Sequence, residues 1–261
     1  MDYEHIVVEN GPVARVVLNR PEARNAMSDV TLRELTDAFL DLGKDLSLRA
    51  VVVTGAGKDF CAGADIAWMR RGGRMTRDEG ERDARLFAAM LRAVDACPAP
   101  VIVAAQGNVF GGGLGLLAAC DVALLAEDAR LCFSECRLGI MPAVISCWVI
   151  PKIGVSNARR YYLTAEAFGA ERALGMGLVH ELLPAAELGA RASALAADVL
   201  KCGPEAVRAA KAGIKMLSQL GLDQRVDFAV ETLLELRSSP EGQEGLTAFL
   251  EKRPPKWAAK P

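Results

Sequence analysis

Histidine is scarce in this sequence: His5 and His180 are the only two among 261 residues. A histidine metal site or a Ser–His nucleophile pair would have to use one of them, which weighs against both kinds of chemistry. His180 follows Val179 in an ordinary strand or turn setting, and we interpret it as a structural residue. We therefore expect no metal site.

Neither sign of charge dominates, and no long apolar run is present. The 31 Lys and Arg residues nearly cancel the 33 Asp and Glu residues, for a net charge of −2, so no basic surface for nucleic acid is indicated. No stretch reaches the roughly 18 apolar residues of a membrane span. The first ten residues carry Asp2, Glu4 and Glu9 and no apolar core, unlike a signal peptide. These absences predict a cytoplasmic protein that binds neither nucleic acid nor membrane.

The seven cysteines show no pairing pattern. Their number is odd, no two of them are spaced as CxxC, and they stand within apolar runs. A chain of this size without a secretory signal does not need disulfides to fold. We expect all seven to be reduced residues of the core.

Strand and helix patterns alternate in the first part of the chain. Two apolar runs flank Asn10-Gly11-Pro12 and predict a hairpin, and two buried strands are predicted at 49–55 and 101–106. Helices are predicted between them, with Ser28 as an N-cap and a capping box at 76–79. Beyond about residue 184 the pattern is helical only. This order predicts an α/β core followed by a helical C-terminal part.

The most unusual local feature is the turn Phe110-Gly111-Gly112-Gly113-Leu114-Gly115, which directly follows the second buried strand. Three consecutive glycines weaken both a strand and a helix, because glycine loses the most conformational freedom on folding. Either the backbone turns through positive φ here, or another group approaches the main chain closely. At a helix N-terminus, close approach usually means an anion or a developing negative charge held by free N–H groups. Both explanations stay open at this point.

Two familiar motifs come close and fail. The run 51–57 resembles the start of a dinucleotide-binding turn, but Phe60 stands where the third glycine would be. The run Gly154-Val155-Ser156-Asn157-Ala158 lacks the second glycine of a nucleophile elbow, so we interpret Ser156 as a cap or turn residue.

Two backbone amides and one carboxylate form the candidate site. Ala64 ends a Gly-Ala step after the first buried strand, and Gly112 lies in the glycine turn. If the two strands are neighbours, both turns lie at the carboxyl ends, where ligands bind, and the two N–H groups form an oxyanion hole. Glu135 interrupts an apolar region, where desolvation prepares a carboxylate for proton transfer. An ion pair with Arg137 is the alternative role for Glu135.

Several motifs, in order along nearly the whole chain, resemble the crotonase (enoyl-CoA hydratase/isomerase) superfamily. They stand at 19–27, 60–66, 111–121, 133–142, 175–179 and 245–253. The resemblance implies a spiral of ββα turns over residues 1–195, which carries the acyl-CoA site, and a helical oligomerisation region over 196–261. It further implies trimers or paired trimers, and no cofactor besides the CoA that the substrate carries.

The resemblance also assigns roles to individual residues. It places the thioester oxygen between the amides of Ala64 and Gly112, and it makes Glu135 the proton-transfer residue. It brings Arg24 to a CoA phosphate, and Lys252 of a neighbouring subunit to the adenosine. The residues implied to bind CoA or the acyl group are Arg24, Ala62, Ala64, Asp65, Ile66, Ala67, Gly112 and Lys252.

Gly115 is the departure from the family that bears most on mechanism. Well-studied hydratases carry a first catalytic glutamate at this position and a second at the position of Glu135, and only the second is present here. One carboxylate is compatible with syn addition of water by an enoyl-CoA hydratase. It is also compatible with proton transfer between the α- and γ-carbons by a Δ3,Δ2-enoyl-CoA isomerase. A non-catalytic acyl-CoA-binding protein is the third possibility.

The segment 139–146 resembles that of bacterial 3-methylglutaconyl-CoA hydratases, which act in leucine degradation. We therefore expect a hydratase that converts 3-methylglutaconyl-CoA to 3-hydroxy-3-methylglutaryl-CoA. The distal carboxylate of this substrate requires a cation. Arg70, Arg71 and Arg74, in a polar, glycine-punctuated segment that we expect to be mobile, are the candidates.

Overall fold

The computed structural model describes residues 3–73 and 75–258. The strands within them are β1 (Ile6–Glu9), β2 (Val13–Leu18), β3 (Ala50–Gly55), β4 (Val101–Ala105), β5 (Asn108–Phe110), β6 (Val122–Ala126), β7 (Arg130–Cys132), β8 (Phe168–Gly169) and β9 (Glu181–Leu183). The helices are α1 (Asp29–Leu42), α2 (Ile66–Gly72), α3 (Arg77–Asp95), α4 (Gly112–Ala119), α5 (Ser146–Thr164), α6 (Ala170–Gly175), α7 (Leu188–Leu200), α8 (Pro204–Gln219), α9 (Leu222–Ser238) and α10 (Pro240–Leu250).

The larger sheet has six strands in the order β1-β2-β3-β4-β6-β9. β1 and β2 form the predicted antiparallel hairpin, and the other neighbours pair in parallel. Every residue of β4 is buried, as expected of a parallel strand that is covered on both faces. Val51 of β3 pairs with Val101 of β4, so the two predicted buried strands are neighbours. The α/β organisation predicted for this part of the chain is confirmed.

The prediction that the glycine turn directly follows β4 is wrong. After β4 the chain turns through Gly107, at φ +61°, and forms β5, which pairs in parallel with β7 in a second, three-stranded sheet. β5 has only three residues, and its partner comes after α4 and β6, so no local periodicity marks it. The glycine turn and α4 therefore start from the second sheet.

Two helices begin at the capping residues that the sequence predicts. The Ser28 side chain accepts the Thr31 N–H at the start of α1, and the Thr76 side chain accepts the Glu79 N–H at the start of α3. The apolar stripes of α1 and α3 pack against each other. This contact holds α3 beside the sheet, where one face of it reaches the candidate site.

α2 lies where the sequence pattern predicts a glycine-spaced loop and the start of a mobile segment. Asp65 is its N-cap, and Oδ1 of Asp65 accepts the N–H of Ala67 at 2.9 Å and of Trp68 at 3.1 Å. Trp68 is buried and donates its Nε1–H to Oδ1 of Asp83 on α3 at 2.8 Å. The helix is short and ends at Gly72-Gly73, so the sequence pattern does not predict it. The Asp65 cap and the hydrogen bond from the Trp68 indole to Asp83 stabilise it.

The C-terminal part consists of helices, as predicted. The predicted division between residues 195 and 196 falls within α7, which packs on β3, β4 and β6, and the division itself stays a prediction. The three helices that follow leave large apolar side chains exposed. They are Ile214, Leu222, Val226, Val230, Leu233, Leu246, Phe249 and Leu250.

The cysteines are free thiols, but not all of them belong to the core. Cys61, Cys97, Cys120 and Cys132 are buried, as predicted. The prediction is wrong for Cys136, Cys147 and Cys202, which are exposed. These three lie on a 3₁₀ turn, in the first turn of α5 and just after α7, where apolar neighbours in sequence do not imply burial.

Ser156 and His180 occupy structural positions. Ser156 lies in α5 just after the non-helical Gly154, which has φ +73°. His180 Nδ1 accepts the Ala123 N–H at 3.0 Å, and the His180 backbone N–H donates to the Ala123 carbonyl at 2.8 Å. His180 therefore joins β6 to the chain just before β9.

The ranges 3–73 and 75–258 contain no helix with the length and apolar character that crossing a bilayer demands.

Replacing Ser28 with alanine is expected to lower the free energy of unfolding by about 1 kcal/mol, because the first turn of α1 loses its side-chain acceptor. Urea denaturation of the wild type and of Ser28→Ala measures this difference. Ser218→Ala is the matched control, since Ser218 is exposed and bonds only to the Lys215 carbonyl of its own helix. A loss as large in the control would contradict a specific capping role for Ser28.

Candidate active site

The site is built where the loop after β3 meets the glycine turn before α4. Cys61 bridges to Val109 of β5: its N–H donates to the Asn108 carbonyl at 3.2 Å, and its carbonyl accepts the Phe110 N–H at 2.9 Å. The two chains run in parallel here, so positions three residues further along remain near each other. Those positions are Ala64 and Gly112.

The N–H of Ala64 points away from Met27, the residue with which Ala64 pairs in a parallel bridge. Met27 donates its N–H to the Gly63 carbonyl at 2.8 Å, and Asp65 donates its N–H to the Met27 carbonyl at 2.9 Å. In this parallel pattern, the residue between the two bonded positions points its own N–H to the other side. Within the described ranges the Ala64 N–H has no hydrogen-bond acceptor.

The N–H of Gly112 is free for a different reason. Gly112 is the first residue of α4, and the first N–H groups of a helix lack intrahelical acceptors. Gly111 precedes it at φ +43° and donates its N–H to the Cys132 carbonyl at 3.0 Å. A Cβ on Gly112 would lie 2.8 Å from Met27 Cε and 2.9 Å from Phe87 Cζ. Positive φ and close approach, the two explanations left open above, therefore both apply to this turn.

Glu135 begins the 3₁₀ turn Glu135–Leu138 and places its carboxylate over the glycine turn. Its Oε1 lies 3.1 Å from the point where a Cβ on Gly111 would stand. Its Oε2 is buried and has no hydrogen-bond partner among the described residues. Burial raises the pKa of Glu135, and a hydrogen bond from its own backbone N–H opposes this only in part.

The alternative role for Glu135, an ion pair with Arg137, is not present: no described cation lies within 4 Å of its carboxylate. A buried carboxylate oxygen without a partner is costly, so such a group in a cavity is a candidate for chemistry.

Ala64, Gly112 and Glu135 face one cavity of about 340 Å³. The three residues singled out from the sequence are thus brought together. The other residues that line the cavity are Trp68, Met69, Gly72, Gly80, Asp83, Ala84, Phe87, Ile140, Met141, Pro142, Ala143, Val144 and Ile145. Most of this wall is apolar, as in sites that bind an acyl chain.

Sequence reasoning missed Asp83 and Trp68 in this wall. The hydrogen bond between them joins α2 to α3 across the cavity edge. Trp68, one of only three tryptophans in the sequence, was the available signal. Asp83 and Glu135 are the only charged residues among the described lining residues.

Two of the three predicted cations, Arg70 and Arg71, do not line the cavity. Arg70 and Arg71 lie in the last turn of α2, and Arg71 Nη2 pairs with Asp29 Oδ1 at 3.1 Å. Arg74 lies outside the described residues. The described wall therefore provides no cation for a distal carboxylate on the acyl group.

The predicted CoA-binding residues at the start of α2 lie in the chain between Ala64 and Trp68, which line the cavity, and do not line it themselves. Asp65 uses its carboxylate as the helix cap and pairs with Arg20 Nη1 at 3.3 Å. Ile66 and Ala67 are exposed, and Ile66 leaves 57% of its surface uncovered. An exposed apolar residue beside Ala64 is available for contact with a ligand that enters here.

Three further residues predicted to contact CoA, Ala62, Arg24 and Lys252, lie outside α2. The Ala62 N–H donates to the Arg24 carbonyl at 3.0 Å, and Arg24 is exposed with φ 52°. Lys252 is exposed just after α10. None of these three lines the cavity of its own chain, so their contacts with CoA stay predictions.

Gly115 lies one turn beyond Gly111 in α4 and is fully surrounded. A Cβ on Gly115 would collide with Ile145 Cγ2 and would lie 2.9 Å from Ile145 Cβ and 3.5 Å from Leu91 Cδ1. Ile145 is only 2% exposed and lines the cavity. The space that a side chain at position 115 would need is therefore filled.

A family model described as enoyl-CoA hydratase/isomerase matches residues 8–260. The chain belongs to this family. A short-chain-enoyl-CoA hydratase of Clostridium acetobutylicum is 32% identical over 256 residues, which cover 97% of each chain. A crotonyl-CoA hydratase of Syntrophomonas wolfei is 33% identical over 264 residues, which cover 100% of each chain. The crystal structure of an enoyl-CoA hydratase from Shewanella pealeana superposes with a TM-score of 0.93 at 35% identity, over 97% of this chain and 96% of that one.

These similarities confirm the predicted α/β crotonase fold and the superfamily that the motifs indicated. The protein is an enzyme of the enoyl-CoA hydratase/isomerase family, and membership of this family implies an acyl-CoA ligand. The family covers hydration and isomerisation alike, so the choice between them depends on the site.

The raised pKa of Glu135 predicts how stability depends on pH. Between the ordinary pKa of 4.5 and the raised value, the folded state binds more protons than the unfolded state. Stability is therefore expected to fall as pH rises through this window. Glu135→Gln removes this loss, so the variant is expected to gain stability relative to the wild type from pH 4 toward pH 7.

Urea denaturation of both proteins across this pH range measures the effect. Glu127→Gln, at an exposed position, is the control and is expected to follow the wild type. A constant difference between wild type and Glu135→Gln at every pH would show that Glu135 is not desolvated.

Proposed function

We propose that this protein is an enoyl-CoA hydratase that adds water reversibly across an α,β-unsaturated acyl-CoA. The observation that carries the proposal is the buried, unpartnered Oε2 of Glu135 in a cavity that also receives the N–H groups of Ala64 and Gly112. Two free donors suit an oxygen on which negative charge develops, and a desolvated carboxylate suits proton transfer.

The proposed reaction has two steps. A water molecule bonds through its oxygen to the β-carbon while Glu135 takes one of its protons, and the double-bond electrons move to the thioester oxygen. The resulting enolate oxygen accepts hydrogen bonds from Ala64 and Gly112, in an oxyanion hole. The enolate then collapses, and its α-carbon takes the proton from Glu135. Glu135 is thereby restored to its carboxylate form. Both new bonds form on the face that Glu135 occupies, so the addition is syn.

For the acyl group, 3-methylglutaconyl-CoA is the candidate that the segment 139–146 suggests. One residue of the described wall, Asp83, favours a second candidate, an uncharged branched acyl group. Asp83 would repel a distal carboxylate, and no described lining residue would neutralise it. Comparing 3-methylglutaconyl-CoA with 3-methylcrotonyl-CoA, which has the same branch without the carboxylate, separates the two candidates.

A Δ3,Δ2-enoyl-CoA isomerase is the alternative reaction, favoured by the single carboxylate. In that reaction Glu135 would take a proton from the α-carbon and return it to the γ-carbon, with the same enolate held by Ala64 and Gly112. A protein that binds acyl-CoA without turnover is the third possibility, since Gly115 replaces the first of the two catalytic glutamates of well-studied hydratases.

The test is a panel of acyl-CoA esters given to the wild type and to Glu135→Gln. Loss of the conjugated thioester absorbance of crotonyl-CoA, 3-methylcrotonyl-CoA or 3-methylglutaconyl-CoA is expected with the wild type. Glu135→Gln is expected to lower kcat by about 10²–10⁴, because general acid–base transfer is lost. Glu127→Gln is the control and is expected to retain the wild-type rate.

Conversion of a 3-enoyl-CoA, with no hydration of the 2-enoyl esters, would replace the hydratase by the isomerase. Identical background rates in wild type and Glu135→Gln, together with binding of the esters, would support the non-catalytic binder.

We further propose that the protein assembles as a trimer or a pair of trimers through its C-terminal helices. The exposed apolar side chains of α9 and α10 support this, because monomeric proteins rarely expose so many together. In such an assembly Lys252 of a neighbouring copy would meet the CoA adenosine, and Arg24 a CoA phosphate.

Light scattering on the purified protein is expected to give a mass of three or six times 27.8 kDa. Replacing Phe249 and Leu250 together with aspartate is expected to lower this mass, because both side chains are at least 80% exposed in one chain and charge opposes their burial. Leu46→Asp, at an equally exposed position outside the C-terminal helices, is the control. A mass of 27.8 kDa for the wild type would rule out the assembly.

A further inference from the structure

Glu135 and Ile145, which both line the cavity, cover two glycines that lie one turn apart at the start of α4. Gly115 donates its N–H to the Gly111 carbonyl at 3.4 Å, so the two residues lie one above the other on a single helix face. Glu135 covers Gly111, with Oε1 3.1 Å from where its Cβ would be. Ile145 covers Gly115 in the same way. Positions four apart on a helix are about 5–6 Å apart, so the isoleucine is the next neighbour of the carboxylate along this face.

Ile145 is held firmly in this position. It directly precedes α5, and its carbonyl accepts the N–H groups of Trp148 and Val149, each at 3.0 Å. Its side chain is 2% exposed and shares the space above Gly115 with Leu91. Hydrocarbon therefore occupies the place that a side chain at position 115 would take.

The neighbouring wall is apolar as well. Pro142, Ala143 and Val144 line the cavity beside Ile145. A water held over the β-carbon of the substrate can therefore hydrogen-bond to Glu135. It finds no second carboxylate among the residues 142–145. The same hydrocarbon provides favourable contact for an alkyl group.

We propose that Ile145 determines specificity by packing against an alkyl branch on the β-carbon of the substrate. This inference rests on the proposed hydratase function and names its substrate class: β,β-disubstituted enoyl-CoA esters, which hydrate to tertiary alcohols. With the thioester oxygen at Ala64 and Gly112, and the α-carbon within reach of Glu135, the β-carbon is the next atom along the acyl chain. The side chain that covers the next turn of α4, beyond the one that Glu135 covers, is Ile145, so the branch meets its methyl groups.

The test compares crotonyl-CoA with 3-methylcrotonyl-CoA, which differ only by a methyl group on the β-carbon. The wild type is expected to have the higher kcat/KM with 3-methylcrotonyl-CoA. Ile145→Ala is expected to lower kcat/KM for this ester about tenfold more than for crotonyl-CoA, mainly through KM, because a methyl-sized contact is worth about that factor or more. Ile145→Val is expected to show the same trend with a smaller factor and is the safer variant for folding.

Val149→Ala is the matched control. Val149 is β-branched and buried one turn further along α5, but it does not line the cavity. Any loss that comes from weakened packing alone is expected to affect both esters by one common factor. A common factor for the Ile145 variants as well would overturn the inference while leaving the hydratase function intact.

A second pair of variants tests whether Ile145 occupies the space above Gly115. Gly115→Glu alone is expected to lower Tm strongly, because the new side chain collides with Ile145. Gly115→Glu combined with Ile145→Gly is expected to recover Tm and to shift the preference toward crotonyl-CoA. Equal Tm values for the single and double variants would contradict the packing. A wild type inactive on every ester would instead refute the proposed function, and this inference with it.

Discussion

The close approach of two backbone segments is the constraint on which the rest of the site depends. The loop after β3 pairs through Cys61 with β5, and this pairing brings Ala64 beside the first turn of α4. A Cβ on Gly113 would lie 2.8 Å from Cys61 Cβ, and a Cβ on Gly63 would lie 3.1 Å from the Phe110 carbonyl. Glycine is required because one main chain rests directly on another. Ala64 and Gly112, whose N–H groups have no acceptor among the described residues, then line one cavity.

The position of the Glu135 carboxylate also depends on the absence of a side chain, here at Gly111. Glu135 sits over Gly111, where any larger residue would push its carboxylate away. Burial leaves Oε2 without a partner among the described residues and raises the pKa of Glu135. The charged carboxylate is therefore destabilised, and taking up a proton removes that cost. The helices α2 and α3, joined by the Trp68–Asp83 hydrogen bond, close the cavity on the opposite side. Ala64, Gly112 and the Glu135 carboxylate thus line one largely apolar cavity.

Local patterns predicted the hairpin, the buried strands β3 and β4 and the caps at Ser28 and Thr76, because each depends on residues close in sequence. The sequence also singled out Ala64, Gly112 and Glu135, which line one cavity, since paired glycine turns and an acid in an apolar region are unusual. Longer-range contacts escaped prediction. β5 exists only through its partner β7, and α2 is short. The filling of the space above Gly115 by Ile145 depends on how α5 is placed, which no local pattern encodes.

The contact between Gly115 and Ile145 also makes two distant sequence positions interdependent over evolutionary time. A glutamate that arises at position 115 meets an occupied site, whereas a small residue that arises at position 145 leaves a void in the core. Either change alone is therefore expected to lower the free energy of unfolding. A lineage with this pair is expected to keep glycine at position 115 and to vary elsewhere in the wall of the cavity.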